Sequence, residues 1–268
     1  MSDFIRPGQN EELAGFVSCE HLELDTILPQ LRDASAQEIV KWALDTFGHD
    51  VTFACSFGAE DVVLVDIIAK IDPKARMFVL DTGRLNQETY DTMERCREKY
   101  GVEFETLHPE TIAVERLLST KGPNSFFASI ENRKECCGIR KVEPLRRALS
   151  GKRAWITGLR RAQAVTRAEL PKIEIDETHD GIFKINPLAE WSQEDVWSYI
   201  REHGVPYNVL HDHGFPSIGC ACCTRAVAPG EDIRAGRWWW ENPEQKECGL
   251  HVKRRAPINP DISEPTHA

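Results

Sequence analysis

Short apolar runs alternate along the chain with longer amphipathic stretches, the pattern of a parallel β-sheet covered by helices. Val51–Cys55, Arg76–Leu80, Val102–Thr106 and Arg153–Thr157 read as strands, and Ile182–Ile185 as a short one ahead of Asn186-Pro187-Leu188. Asp61–Lys70 and Asn86–Tyr100 read as the intervening helices. A later helix starts at Ser192, an N-cap with Asp195 three residues on, in a variant of the capping box. No internal repeat or low-complexity linker interrupts this order, and the polar, proline-containing stretch from Pro257 to Ala268 reads as a mobile tail. The predicted class is α/β: an open, mainly parallel sheet flanked by helices.

A chain of 268 residues that is 41% hydrophobic can bury a full core, as one large domain or as one domain with an appendage. No apolar run approaches the length needed to span a bilayer, and Met1-Ser2-Asp3-Phe4 lacks the basic then apolar start of a secretion signal. A cytoplasmic protein with no membrane partner is therefore expected. The formal charge of −10 argues against wholesale binding of nucleic acid, although a local group of arginines can still hold a small anion.

Nine cysteines in a reducing compartment point to metal or redox work rather than a disulfide framework, and an odd count leaves at least one unpaired. The gap between Cys220 and Cys223 lets two thiolates of one turn converge on a soft metal centre. The neighbours Cys136 and Cys137 could join them only if the backbone turns sharply, which the following Gly138 tolerates. A mononuclear zinc site prefers two spaced pairs, whereas a 4Fe-4S cluster offers separate iron corners to adjacent thiolates, so the cluster is the first expectation, zinc the second and a disulfide the last. Cys222 could stand in for Cys223, while Cys55, Cys96 and Cys19 read as small buried apolar residues.

Two strand ends carry further candidates. Ser56-Phe57-Gly58-Ala59-Glu60-Asp61 puts small residues and a hydroxyl at a helix N-terminus, where backbone N–H groups can hold an anion; an ordinary tight turn explains it equally well. Leu80-Asp81-Thr82-Gly83 follows the second strand, where open sheets meet ligands, or is a plain turn with Asn86 capping the next helix. Lys141, Arg160, Arg161, Arg167, Arg234 and Arg237 come from three segments, and guanidinium forks match phosphate and sulfate oxygens. Trp238-Trp239-Trp240 on a helix would face three directions, leaving at least one exposed or at an interface.

Four segments in this order, Glu135-Cys136-Cys137-Gly138-Ile139-Arg140-Lys141-Val142-Glu143-Pro144-Leu145, the Cys220–Cys223 loop, Gly230 to Glu241, and Glu247-Cys248-Gly249-Leu250-His251, together resemble the assimilatory adenylyl-sulfate reductases. The resemblance runs from about Val51 to His251 and implies an adenine nucleotide alpha hydrolase-like, Rossmann-like fold with cluster-bearing helical loops. The expected organisation is an N-terminal helical segment at 1–50, a nucleotide-binding and iron–sulfur reductase domain at 51–251, and a flexible tail at 252–268. By resemblance, Lys141, Arg167, Arg234 and Arg237 hold the phosphosulfate, while Ser56 and the backbone of Leu80 and Gly158 contact the nucleotide. Phe57 stands where related pyrophosphatase loops have a first glycine, and its bulk is expected to leave less room for a pyrophosphate. The family often has Arg-Arg-Asp-Gln-Ser where this chain has Arg160-Arg161-Ala162-Gln163-Ala164, which puts the register of Arg167 in question.

The implied chemistry is thiol-dependent reduction of adenylyl sulfate to sulfite and AMP for cysteine biosynthesis. The Cys248 thiolate attacks sulfur and forms a thiosulfonate, and a dithiol such as thioredoxin releases it. His251 is a candidate activator or a packing residue, and the cluster at Cys136, Cys137, Cys220 and Cys223 is expected to order loops and shape the field near Lys141. The 3′-phosphorylated substrate, an iron–sulfur tRNA-thiolating enzyme and a non-catalytic iron–sulfur sensor are the alternatives. Homo-oligomerisation stays open.

Overall fold

The computed structural model describes residues 23–164 and 167–242. The expectations placed on Met1 to Phe4, Cys19, Cys248, His251 and the 252–268 tail lie outside the described residues.

The N-terminal helices are α1 (Leu24–Gln30) and α2 (Ala36–Phe47). Ser35 opens α2 with a full capping box, its hydroxyl accepting from the Glu38 N–H at 3.2 Å and the Glu38 carboxylate accepting from the Ser35 N–H at 2.7 Å. The chain then runs through β1 (Val51–Cys55), α3 (Ala59–Ile71), β2 (Met77–Leu80), α4 (Gln87–Tyr100), β3 (Glu105–Leu107) and α5 (Thr111–Lys121). Helices α6 (Ile130–Cys137) and α7 (Glu143–Leu149) precede β4 (Ala154–Ile156), β5 (Ile173–Asp176), β6 (Ile182–Ile185) and α8 (Gln193–His203). Ser192 caps α8 with Asp195 as its sequence indicates.

Among the described residues the strands form one sheet of order β3-β2-β1-β4-β6-β5, parallel except where β5 runs antiparallel to β6. The chain steps outward from β1 to β3 and then crosses to the other side of β1 with β4. That reversal opens a crevice beyond the carboxyl ends of β1 and β4, where open α/β sheets bind ligands.

Three local expectations are corrected. Helix α3 is not amphipathic: Val62, Val63, Leu64, Val65, Ile67 and Ile68 are all buried, because it is wedged between the sheet, α2 and α8. Burying each of those side chains contributes about 1.5–3 kcal/mol. The third strand begins at Glu105 rather than Val102, since β2 is four residues long and pairs Phe78 with Glu105; Val102 is buried instead within the turn after α4. The sharp bend expected at Gly138 is absent. Gly138 is right-handed helical at φ −55°, ψ −52°, and Gly138–Val142 forms a π-helical turn that carries α6 directly into α7. Such single wide turns inside helices recur at functional sites.

Candidate active site

A cavity of about 830 Å³ occupies the crevice, walled by the carboxyl ends of β1, β2 and β4 and by loops from the last third of the chain. Ser56, Leu80, Lys141, Gly158, Arg167, Arg234 and Arg237 all line it. The sequence segments carrying those seven residues are widely separated, so their meeting at one cavity is decided by the strand order.

The β1–α3 turn differs from its expected steric role. Phe57 adopts φ 58°, the left-handed region that a phenylalanine rarely visits, and its buried ring packs on Phe104 at 5.0 Å, away from the cavity lining. Its bulk therefore does not narrow the cavity. The turn is occupied in another way: Ser56 donates both its N–H and its hydroxyl to Asp61 Oδ2 at 2.6 Å. An internal carboxylate thus takes the donors that could have served a pyrophosphate. Burial pushes Asp61 up to about 6, against the pull of the Ser56 bonds. Gly158 accommodates this arrangement, because a Cβ there would overlap Asp61 Oδ1 and press on the Glu60 Cβ.

Two of the sequence-flagged arginines serve the scaffold. Arg160 is buried and grips Glu60 Oε1 through Nε at 2.8 Å and Nη2 at 2.6 Å, while Nη1 donates to the Trp191 carbonyl. Arg161 donates to the Leu170 carbonyl and to Glu190. Arg167 reaches Gln163 Oε1, which holds it against the cavity wall. Arg237 is buried, donates to Ser217 Oγ and the Ile218 carbonyl, and lies over the Trp238 ring at 4.7 Å. Gly219 must lack a side chain because the Arg237 guanidinium fills that space. Asn86 occupies the N-cap position of α4 as expected, but its side chain makes no capping bond and instead donates to the Gly219 carbonyl at 3.4 Å, tying the two loops together.

Behind the cavity wall the cysteines gather in an apolar nest. Buried Phe126, Cys223 and Trp238 form its centre, with Cys136, Cys220, Cys222 and Trp240 packed against them. Cys137 is close enough to add to the charge felt by Cys223, and Arg133 contacts the Cys137 thiol. Thr82 Oγ1 lies 3.3 Å from Cys220 Sγ, Cys222 Sγ is 3.8 Å from Cys223 Sγ, and Arg84 donates to Cys222 Sγ at 3.5 Å. Burial pushes the Cys136 thiol up, opposed by the charges of Arg140 and Arg84. Among the described residues no group of three or more His, Cys, Asp or Glu side chains is drawn together tightly enough for a single metal ion. A tetrahedral ion with bonds of about 2.3 Å would demand such closeness, whereas a polynuclear centre holds its thiolates farther apart. Five sulfurs surrounded by Arg84, Arg133 and Arg140 suit a negatively charged sulfur-ligated group, and Cys222 faces Arg84 while Cys223 turns into the nest.

Cys55 and Cys96 are buried, as their apolar surroundings suggested, and burial pushes Cys96 up to about 12. Trp238-Trp239-Trp240 forms a turn, not a helix: Trp238 is buried at φ 41°, Trp240 packs on Phe127 at 4.4 Å, and Trp239 is exposed. The arginines at the cysteines escaped the sequence reading. Arg133 and Arg140 lie three to four residues from Cys136 and Cys137, a helical spacing that could have flagged them. Arg84 had no such signal, since it meets Cys222 only through the fold.

Residues 50–226 match the family described as the phosphoadenosine phosphosulfate reductase domain. Curated relatives include the adenosine 5′-phosphosulfate reductase of Allochromatium vinosum, 50% identical over 239 residues that make up 89% of this chain and 92% of that protein. The adenosine 5′-phosphosulfate reductase of Burkholderia cepacia is 54% identical over 78% of this chain and 84% of its own length. Among solved structures, the phosphoadenylyl-sulfate reductase of Candida auris in its phosphate complex superposes with a TM-score of 0.66 at 31% identity, covering 77% of this chain and 98% of that one. No helix among the described residues is long and apolar enough to cross a membrane.

Proposed function

Since the chain belongs to the phosphoadenosine phosphosulfate reductase family, we propose that it reduces adenylyl sulfate to sulfite and AMP with electrons from a dithiol, in sulfate assimilation. The observation that carries this reading is the convergence of Lys141, Arg167, Arg234 and Arg237 on the cavity that Ser56, Leu80 and Gly158 also line. Four cations supply the bidentate and point-charge contacts that a phosphosulfate needs. The backbone at Leu80 and Gly158, beyond strand ends, suits the nucleoside. The roughly 50% identity to proteins named for the unphosphorylated substrate favours adenylyl sulfate over its 3′-phosphorylated form.

Cys248 is the nucleophile of this proposal. Its thiolate attacks the sulfur, the Sγ–S bond forms, and the S–O bond to phosphate breaks with its electron pair leaving on AMP. A thiolate of the reductant, a protein dithiol such as thioredoxin, then attacks Cys248 Sγ and expels sulfite with the electron pair of the S–S bond. The second thiol of the reductant resolves the mixed disulfide and returns Cys248. The cavity cations offset the negative charge of the sulfonyl and phosphate oxygens, so that a second anion, the thiolate, can approach.

Cys136, Cys137, Cys220 and Cys223 would hold a 4Fe-4S cluster, whose chemistry when bound is to tie the α6 helix to the 220–223 loop and set the local field. Lys141, in the wide turn next to Cys137, then faces the cavity from the same helix that bears two ligands. Intact mass spectrometry of anaerobically purified protein mixed with adenylyl sulfate, without reductant, tests the reading. A sulfonate adduct on Cys248 with adenylyl sulfate and not with its 3′-phosphorylated form is expected. Absence of an adduct with either, from protein with full iron and sulfide content, would overturn the covalent mechanism.

A further inference from the structure

Resting on the reductase reading, we infer that the exposed aromatic pair Phe127 and Trp239 is the docking surface for the protein dithiol that releases sulfite. Phe127 is 43% exposed and Trp239 40% exposed. Their rings lie 6.2 Å apart, both against Trp240, at 4.4 Å from Phe127 and 4.8 Å from Trp239. Single exposed apolar residues are ordinary, but a contiguous aromatic patch on a rigid base is the kind of surface that partners use. The base here is rigid: Trp240 and Phe126 pack beneath the pair in the cysteine nest, and Arg84 lies over Phe126 at 5.1 Å.

The short spacing from Trp239 to Cys248 along the sequence points to what meets this patch. Asn242, the last described residue, is three positions past Trp239, and Cys248 follows six positions later. An extended chain spans about 3.3–3.6 Å per residue, so Cys248 Sγ stays within roughly 20–25 Å of Asn242 whatever path the segment takes. A partner thiol that attacks Cys248 Sγ must enter the same radius, and a folded dithiol protein is larger than that distance. Its body is thereby brought within reach of the face where Phe127 and Trp239 stand. The patch lies outside the cavity lining, so it is not needed to bind the sulfonucleotide. A small-molecule dithiol, which has no body to dock, has no use for it.

The test separates the two half-reactions. Wild type, Trp239→Ser, Phe127→Ser and the double variant are converted to the Cys248 thiosulfonate with adenylyl sulfate and checked by intact mass. Sulfite release is then timed with sub-saturating reduced thioredoxin and, separately, with dithiothreitol. Each single substitution is expected to slow the thioredoxin reaction about tenfold, the scale of an interface aromatic, and to leave adduct formation and the dithiothreitol reaction unchanged. Unchanged thioredoxin rates in the double variant would overturn the proposal. Equal losses with both dithiols would also overturn it, showing that the aromatics support the chain near Cys248 or are covered by it. If wild type forms no adduct, the reductase reading fails first and the docking proposal falls with it.

Discussion

Replacing Glu241 by glutamine should destabilise this protein severely, because the carboxylate is the counter-ion of a guanidinium that has no access to water. The Arg133 and Glu241 side chains are 1% and 3% exposed, and two charge-assisted bonds of 2.8 and 2.7 Å join them. Trp238 covers the guanidinium at 4.7 Å. Removing one partner of such a pair costs about 3–5 kcal/mol, because the guanidinium loses both of its carboxylate bonds in a site closed to water. For a chain of this size that is a fall in Tm of about 6–20 °C at roughly 2–4 °C per kcal/mol. Replacing both partners, as in Arg133→Met with Glu241→Leu, should recover most of the loss, since an apolar pair of similar volume carries no desolvation penalty. Thermal unfolding would be followed anaerobically on variants prepared side by side, because the comparison of Tm values needs a single two-state transition in each. A Tm drop below about 2 °C for Glu241→Gln, or a double variant no better than the single, would refute the reasoning.

Gly158→Ala should weaken nucleotide binding and lower Tm, because the added methyl overlaps Asp61 Oδ1 and displaces that carboxylate from Ser56; equilibrium dialysis with AMP checks this, and unchanged affinity would contradict it. Phe57→Gly relieves a left-handed backbone but removes a ring packed on Phe104, so a net loss of about 2–4 kcal/mol is expected in denaturant titrations, the cavity outweighing the strain. Although burial opposes it, bonds from His179 and Thr178 hold Asp176 well below the usual carboxylate range. A depressed folded-state pKa stabilises above the unfolded value near 4 and is lost as the pH falls below it, so Asp176→Asn should flatten the acid limb of the stability–pH curve. Asp61 has the opposite sign: raised to about 6, it makes the wild type lose stability as the pH climbs from about 4 to 6, and Asp61→Asn should remove that slope.

Features that depend on neighbours in the chain were legible in the residues themselves. The apolar run of Val51–Cys55, the hydroxyl and carboxylate of Ser192 and Asp195, and the two-residue gap from Cys220 to Cys223 act over one turn or one strand, so their spacing suffices. The motifs that resemble a reductase family also named seven residues that share one cavity. What the chain could not display was contact across the fold. Arg84 meets Cys222 from 138 positions away, Arg133 meets Glu241 from 108, and no local pattern encodes either. The π-helical turn after Cys137 and the burial of Phe57 in a left-handed conformation were likewise decided by packing, which overrides the bend a glycine permits and the shape a bulky residue prefers. Tertiary structure also reassigned Asp61, because only the closed β1–α3 turn brings its carboxylate onto the two donors of Ser56. Spacing along the chain thus determined which chemistry was available, and the strand reversal between β1 and β4 determined where those groups meet.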